Sequence, residues 1–315
     1  MASKAVVFAY HDVGVRCLQV LIGHGVDIPL VVTHQDSPAE RIWFASVAEL
    51  AQKNGIAIAT PEDPNEAAFV ARIAAIAPDF LFSFYYRLML APSLLATARR
   101  GAFNMHGSLL PKYRGRVPVN WAILHGETET GATLHEMIAK PDAGRIVDQQ
   151  AVAIGADDQA VDVFRKVAGA AETVLRRCLP ALEDGSAVLR NQDLSLGAYF
   201  GGRKPADGRI NWVRPAREVH NLVRAVAPPY PGAFTELDGK PLFIHRTRLE
   251  AGGGMCGSAP GFYASRSGVD AVCADGRVLA LLEMQYEDKP FTPADFLTRF
   301  GARPVPLPLL SWAKP

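Results

Sequence analysis

Over the first two hundred residues, short apolar runs alternate with amphipathic stretches. Ala5 to Tyr10 (AVVFAY), Ile28 to Thr33 (IPLVVT), Ile56 to Ala59 and Asp79 to Phe84 (DFLFSF) have the length and continuous apolarity of buried strands. The stretches between them carry helix punctuation. Ser37-Pro38-Ala39-Glu40 is a capping box with proline at the first helical position, and Asn54-Gly55 supplies the stop. Gly25 is placed to close the preceding helix. Asp157-Asp158 opens a long helical stretch, expected to be interrupted near Pro180 and finished by Gly185. This alternation predicts an α/β fold with a doubly wound, mainly parallel sheet. Ligands of such sheets sit beyond the carboxyl ends of the strands, where Tyr10-His11, Tyr85-Tyr86-Arg87 and His106 fall.

The pattern changes after FGGRKPADGRINW (Phe200 to Trp212). One helix is expected around Arg217 to Val226, followed by the turn PPYPG at Pro228 to Gly232. Short alternating runs then appear (PLFIHRTRLE, GVDAVC, RVLALLEM), with Asp275-Gly276 as a hairpin turn between the last two. AGGGMCG (Ala251 to Gly257) reads as a flexible connection. Thr292-Pro293 is placed to start a short final helix. The expected organisation is a catalytic domain over residues 1–205 and a small, OB-like β-barrel domain over residues 206–315.

Composition narrows the classes. The 315 residues are 49% hydrophobic and 21% charged, as in a soluble globular protein, and the net charge of +1 gives no bulk field for nucleic acid or an anionic membrane. No apolar run reaches about 18 residues, and MASKAVVFAYHD lacks a signal-peptide core, so a cytoplasmic protein is expected. Cys17, Cys178, Cys256 and Cys273 stand far apart without a C-x-x-C pair, which argues against a zinc site or a disulfide frame. No G-x-G-x-x-G follows the first strand, since GHGVDI at Gly23 lacks the third glycine, and no Walker lysine loop occurs. Neither NAD nor ATP is indicated.

One stretch carries more chemistry than the rest: FNMHGSLLPKYRGR, Phe103 to Arg116. Side chains at i and i+2 share a strand face, so Asn104 and His106 are delivered side by side at a strand end. Imidazole can take a proton from an attacking group and return it to a leaving group, and an amide can hold a developing oxyanion. Asp142, in MIAKPDAGRIV (Met137 to Val147), is available to orient the imidazole. Together these suit acyl transfer without a covalent enzyme intermediate. Spacing alone leaves plainer readings open: a structural His106, a turn aspartate at Asp142, and Lys112, Arg114 and Arg116 as a solvated face. His135, between Leu134 and Met137, reads as structural. Ser108 is followed by LLP, so it lacks the G-x-S-x-G context of a nucleophile.

NMHGSLLPKYRGR, followed by VPVNWAILHGETETGATLH and a loop ending in D-A-G, resembles the formyltetrahydrofolate-dependent formyltransferases. The resemblance runs on through FGGRKPADGRINW and RAVAPPYPGAF, about 235 residues in all, and continues in outline beyond. It implies catalysis by Asn104, His106 and Asp142, with Asp142 orienting His106 and favouring its protonated form. It implies 10-formyltetrahydrofolate as donor, lying against Leu88, Met89 and Leu90, with Arg116 and the loop Ile138, Ala139, Lys140, Pro141 and Asp142 completing its pocket. No metal is called for. Lys112 and Arg114 are candidates for contacting diphosphate or folate carboxylates. VVFAYHD, FSFYYR and FNMHGSLLPKYRGRVPVNW resemble most the branch that formylates UDP-4-amino-4-deoxy-L-arabinose for lipid A modification. A UDP-linked amino sugar is therefore the expected partner, with neither nucleic acid nor membrane. The oxidative decarboxylase fused to the best-known relatives is expected on a separate polypeptide. The alternatives within the resemblance are a dTDP-linked sugar, methionyl-tRNA formyl transfer and non-catalytic folate binding.

Overall fold

The computed structural model describes residues 2–38, 42–250, 259–265 and 268–307. Its elements run β1 (Lys4–Ala9), α1 (His11–His24), β2 (Asp27–Val32), α2 (Val47–Lys53), β3 (Ala57–Ala59), α3 (Ala67–Ile76), β4 (Phe80–Phe84), α4 (Pro92–Leu95) and β5 (Gly101–His106). There follow β6 (Arg114–Gly115), α5 (Pro118–Leu124), β7 (Glu129–Glu136), β8 (Ile146–Ala153), α6 (Ala160–Asp184) and β9 (Tyr199–Phe200). The remainder comprises α7 (Ala216–Val226), β10 (Ala233–Leu237), β11 (Lys240–Leu249), β12 (Gly261–Ala264), β13 (Val269–Val272), β14 (Val278–Tyr286), β15 (Lys289–Pro290), α8 (Pro293–Phe300) and β16 (Val305–Pro306). They gather into two compact units. One holds Met1–Pro118, Glu129–Ala153 and Phe164–Gly201; the other holds Val119–Thr128, Ile154–Val163 and Gly202–Pro315. The chain passes to the second unit after Gly201, and two earlier excursions, Val119–Thr128 and Ile154–Val163, also belong to that unit.

The first unit is built on a sheet of order β3-β2-β1-β4-β5-β7-β8. The pairs from β3 to β5 are parallel, as the continuous apolar runs predict, and β7 and β8 add an antiparallel edge. All five residues of β4 are buried, and Phe80, Phe82 and Phe84 fill the middle of the core with Phe8, Leu30 and Leu81. Helix α1 ends as expected on Gly25, whose φ of 86° favours glycine.

Two helix boundaries differ from expectation. Helix α2 begins at Val47, not at Pro38; Ala39 and Glu40 lie outside the described residues. A second Ser-x-x-Glu phrase, Ser46 to Glu49, supplies the cap, with Ser46 Oγ accepting from Glu49 N at 3.2 Å. Helix α6 runs unbroken through Pro180. Its buried stripe (Phe164, Val167, Ala168, Ala171, Val174, Leu175, Cys178, Leu179, Leu182) continues past the proline, which sits on the exposed side. Its start is held by Asp162, which accepts from Gln159 N at 3.1 Å, and not by Asp157-Asp158.

The second unit carries an antiparallel sheet of order β10-β11-β14-β13-β12-β16, with β15 paired to β14. Its outer strands β10 and β16 do not pair with each other among the described residues, so the curl is a half-barrel. Asp275-Gly276 makes the β13–β14 turn, with Gly276 N donating to Cys273 O at 2.9 Å. Thr292 and Asp295 form the capping box of α8. Trp212 anchors this core, packed edge-on against Phe262 and donating from Nε1 to Thr235 Oγ1 at 3.0 Å. The connection AGGGMCG lies outside the described residues. No described helix is long and apolar enough to cross a membrane.

Replacing Ser46 by Ala should cost about 1 kcal/mol of stability, the usual worth of an N-cap. Amide exchange over Val47–Lys53 should speed up with it, and Ser46→Asp should retain both; unchanged exchange in Ser46→Ala would show that this cap does not hold α2.

Candidate active site

The site follows from strand register. Strand β5 pairs antiparallel with β7 so that Asn104 stands opposite His135 and His106 opposite Thr133. Directly opposed residues on paired strands share a face. The register therefore sets an amide, two imidazoles and a hydroxyl together at the carboxyl end of β5. His135, read from the sequence as a structural residue, is buried within this group. Its signal in the sequence was T-L-H in β7, the same i, i+2 spacing as N-M-H in β5.

The loop from β7 to β8 brings in the carboxylate. Asp142 takes a left-handed φ of 52°, and a Cβ on Gly144 would run into the Glu136 carbonyl oxygen. Gln192 Nε2 clamps the turn by donating to Asp142 O at 3.0 Å and Gly144 O at 2.6 Å. Asp142 Oδ2 accepts from Gly115 N at 2.8 Å. Gly115 has a φ of 100° and no room for a Cβ against the Phe200 carbonyl, because β6 pairs with β9 there. The carboxylate is thus held from outside its own turn.

Asp142 Oδ1 lies 3.6 Å from His106 Nδ1 and 3.5 Å from His135 Nε2. The three side chains are 14%, 7% and 2% exposed, so their charges interact with little screening by water. Burial pushes the Asp142 carboxyl up. The charge of His106, the hydrogen bond and charge of His135, and the Gly115 N–H outweigh burial and hold it well below the usual carboxylate range. His135 Nδ1 lies 2.9 Å from Glu136 O and Nε2 lies 3.1 Å from Asn104 Nδ2. A carbonyl can only accept, so Nδ1 carries a proton, and Nε2 lies between the Asn104 amide and Asp142 Oδ1. His106 Nε2 donates to Tyr113 O at 2.8 Å. The other ring nitrogen, Nδ1, is the one that faces Asp142.

The surrounding polar groups are framework. Ser108 Oγ donates to Lys112 O at 2.6 Å, and Thr133 Oγ1 donates to Ser108 O at 2.6 Å while accepting from Leu110 N and Gln149 Nε2. Arg114 is buried and gives Nη2 to the Gly197 carbonyl at 2.9 Å, while its Nε is buried without an acceptor among the described residues. Lys112 and Arg116 are exposed.

Leu88, Met89 and Ile138 expose large apolar side chains, while Leu90 is buried. The segments that carry them abut one cluster, in which Leu90, Leu94 and Ala102 are buried and Met137 packs against them. Asn65 fixes the first segment, donating to Met89 O at 2.9 Å and accepting from Ala91 N at 2.6 Å, a role the sequence did not reveal. Ala139 and Lys140 are exposed and Pro141 half-buried beside Asp142. At the neighbouring strand ends, His11 stacks on Phe44 and His34 on Tyr86, and Tyr10 donates to Asp36 at 2.7 Å. Among the described residues no group of three His, Cys, Asp or Glu side chains is placed to hold a metal.

Comparison with known proteins bears on the fold and the family. An N-formyltransferase from Helicobacter canadensis, solved with folinic acid and dTDP-3-aminofucose, is 21% identical at a TM-score of 0.68, over 89% of this chain and 99% of that one. The sugar 3N-formyl transferase WlaRD, solved with dTDP and 5-N-formyl-THF, is 20% identical at a TM-score of 0.66, over 92% and 99%. HypX from Aquifex aeolicus, in complex with tetrahydrofolic acid, matches all of this chain with 50% of its own, at 16% identity and a TM-score of 0.63. These likenesses bear on the fold. The family models reach further: the Formyl transferase model matches residues 15–179, which include Asn104, His106, His135 and Asp142, and the Formyl transferase C-terminal domain model matches residues 203–301. Since the first match alone spans more than half of the sequence, the chain belongs to the formyl transferase family.

Proposed function

We propose that this formyl transferase moves the formyl group of 10-formyltetrahydrofolate to the amine of a nucleotide-linked amino sugar, with the 4-amine of UDP-4-amino-4-deoxy-L-arabinose as acceptor. The observation that carries the reading is the Asp142 carboxylate shared between His106 and His135, with Asn104 beside them. The sugar amine attacks the formyl carbon, and the new N–C bond forms as the carbonyl becomes an oxyanion. Asn104 Nδ2 donates to that oxyanion. His106 takes the amine proton and returns a proton to folate N10 as the C–N10 bond breaks. Asp142 keeps the ring oriented and stabilises its positive form.

The donor assignment draws on the exposed apolar Leu88, Met89 and Ile138 as a wall for a flat pteridine, with Ala139, Lys140, Pro141 and Arg116 around its edge. It also draws on the folates bound to the proteins of similar fold. The dTDP ligands of two of them favour a second reading, a dTDP-linked amino sugar in place of the UDP sugar. A net charge of +1 and a stretch after β2 (THQDSPAERIWFASVAEL) that carries three carboxylates and one arginine weigh against tRNA. The test is formylation of UDP-4-amino-4-deoxy-L-arabinose, a dTDP-3-amino sugar and charged initiator tRNA, each with 10-formyltetrahydrofolate. Turnover of tRNA alone would overturn the reading.

Asp142→Asn should lower kcat by about 10²- to 10⁴-fold, the range for general acid–base assistance. The acid limb of the kcat–pH profile should move to lower pH, because the lost negative charge favoured an imidazolium. An upward movement, or near-normal turnover, would remove Asp142 from the mechanism. A carboxyl held below its unfolded pKa adds stability above about pH 4, and that stability is lost as pH falls through the folded value. The stability gap between wild type and Asp142→Asn should therefore narrow on acidification, as chemical denaturation at several pH values would show.

Arg116→Ala should raise KM for 10-formyltetrahydrofolate more than KM for the amino sugar. Equal changes, or a change confined to the sugar, would reassign Arg116.

A further inference from the structure

Asp142 is carried on a turn, yet much of what fixes its carboxylate comes from a later segment of the same unit, Arg190 to Phe200, which bears none of the reacting groups. Arg190 exchanges both backbone hydrogen bonds with Ile146, each at 2.8 Å, where β8 begins. Two residues on, Gln192 turns its amide to the Asp142 turn. Gly197 passes so close to Pro111 that a Cβ there would run into the Pro111 carbonyl. Arg114 N then donates to Ala198 O at 3.1 Å and Arg116 N to Phe200 O at 2.9 Å. Those two bonds flank Gly115, whose N–H meets Asp142 Oδ2 at 2.8 Å. One segment thus acts on the carboxylate from two sides.

Gln192 has the more exacting place. Asp142 O and Gly144 O stand 3.0 and 2.6 Å from one of its side-chain atoms, and carbonyls only accept, so that atom is the amide nitrogen. Its Oε1 is buried without a partner, and the side chain hydrogen-bonds to nothing else among the described residues. An unpaired buried acceptor costs stability, so an amide is a poor choice for packing alone. What it supplies is a pair of donors, one on each side of Ala143. The turn between them needs holding, because Asp142 has a left-handed φ of 52° and Gly144 abuts the Glu136 carbonyl.

We infer that Gln192 is a positioning residue for catalysis, whose two hydrogen bonds set the place of the Asp142 carboxylate against His106; the inference rests on the function proposed above. Asp142 Oδ1 lies 3.6 Å from His106 Nδ1 and 3.5 Å from His135 Nε2, and a displacement of about 1 Å at such a group can cost about 10²-fold in rate. Asp142 and His135 are the titratable side chains that face His106. His135 is held by its strand, opposite Asn104, so loosening the turn moves only the carboxylate.

The test is Gln192→Met, which keeps the length of the side chain and removes its donors, made in wild type and in Asp142→Asn. In the wild-type background kcat should fall about 10- to 100-fold while KM for the amino sugar stays within about twofold. The acid limb of the kcat–pH profile, and the His106 titration followed by NMR of ring-labelled histidine, should move to lower pH, because a carboxylate that drifts away favours the protonated ring less. In Asp142→Asn the same substitution should lower kcat less than about twofold and leave the His106 titration in place, since no charge remains to be placed. A merely structural glutamine would give the same factor in both backgrounds. That result, or an unchanged kcat and titration in a folded Gln192→Met, would overturn the inference. Gln192→Asn draws the donors back by one methylene, should show the same directions of effect, and serves if the methionine variant does not fold. If wild type formylates a sugar nucleotide and Gln192→Met changes neither kcat nor the titration, the positioning role is wrong and the proposed function stands. If wild type formylates no sugar nucleotide yet the His106 titration moves down only where Asp142 is present, the positioning stands and that function is wrong.

Discussion

The structure of the site depends on one buried carboxylate serving two imidazoles. Asp142 can remain ionised at 14% exposure only because positive and hydrogen-bonding partners converge on it: His106 and His135 at Oδ1 and the Gly115 N–H at Oδ2. Remove that convergence, and burial would favour the neutral acid. The left-handed backbone of Asp142, the missing side chain at Gly144 and the Gln192 clamp all serve to bring the carboxylate to that point. An expensive group is thus kept by several inexpensive ones.

The same economy divides the polar residues near the site into two kinds. Ser108, Thr133 and Gln149 give their donors to neighbouring carbonyls and hydroxyls and so shape the backbone. Asn104, His106, His135 and Asp142 are each anchored by backbone or by one another, and the two imidazoles and the carboxylate stand within 3.6 Å of a common point, Asp142 Oδ1.

Much of this was legible in the sequence, for identifiable reasons. The strands β1, β2 and β4 stood out because burial on both faces leaves a continuous apolar run, and the Asp275-Gly276 turn because few residues accept its geometry; β3 is an exposed edge strand whose apolar run has no such cause. The start of α2 was not legible: Ser37 to Glu40 and Ser46 to Glu49 carry the same capping phrase, and only tertiary placement selects between them. Pro180 suggested a break that the buried stripe of α6 overrides. Asn104 and His106 were visible from their spacing and Asp142 from the resemblance. His135 was hidden because its partner is defined by antiparallel pairing, which a single sequence does not encode locally.

That pairing makes catalysis a matter of alignment as much as of composition. With a side-chain period of two, sliding β7 by one residue against β5 would turn His135 and Thr133 to the opposite face while leaving the strand's apolar content nearly unchanged. The segment from Gly107 to Thr128 that joins the two strands therefore acts as a ruler. Lengthening or shortening it could spare the fold and still dismantle the centre, so the tolerance that loops usually show to insertions should be narrowest here, in a stretch that carries neither His135 nor Asp142.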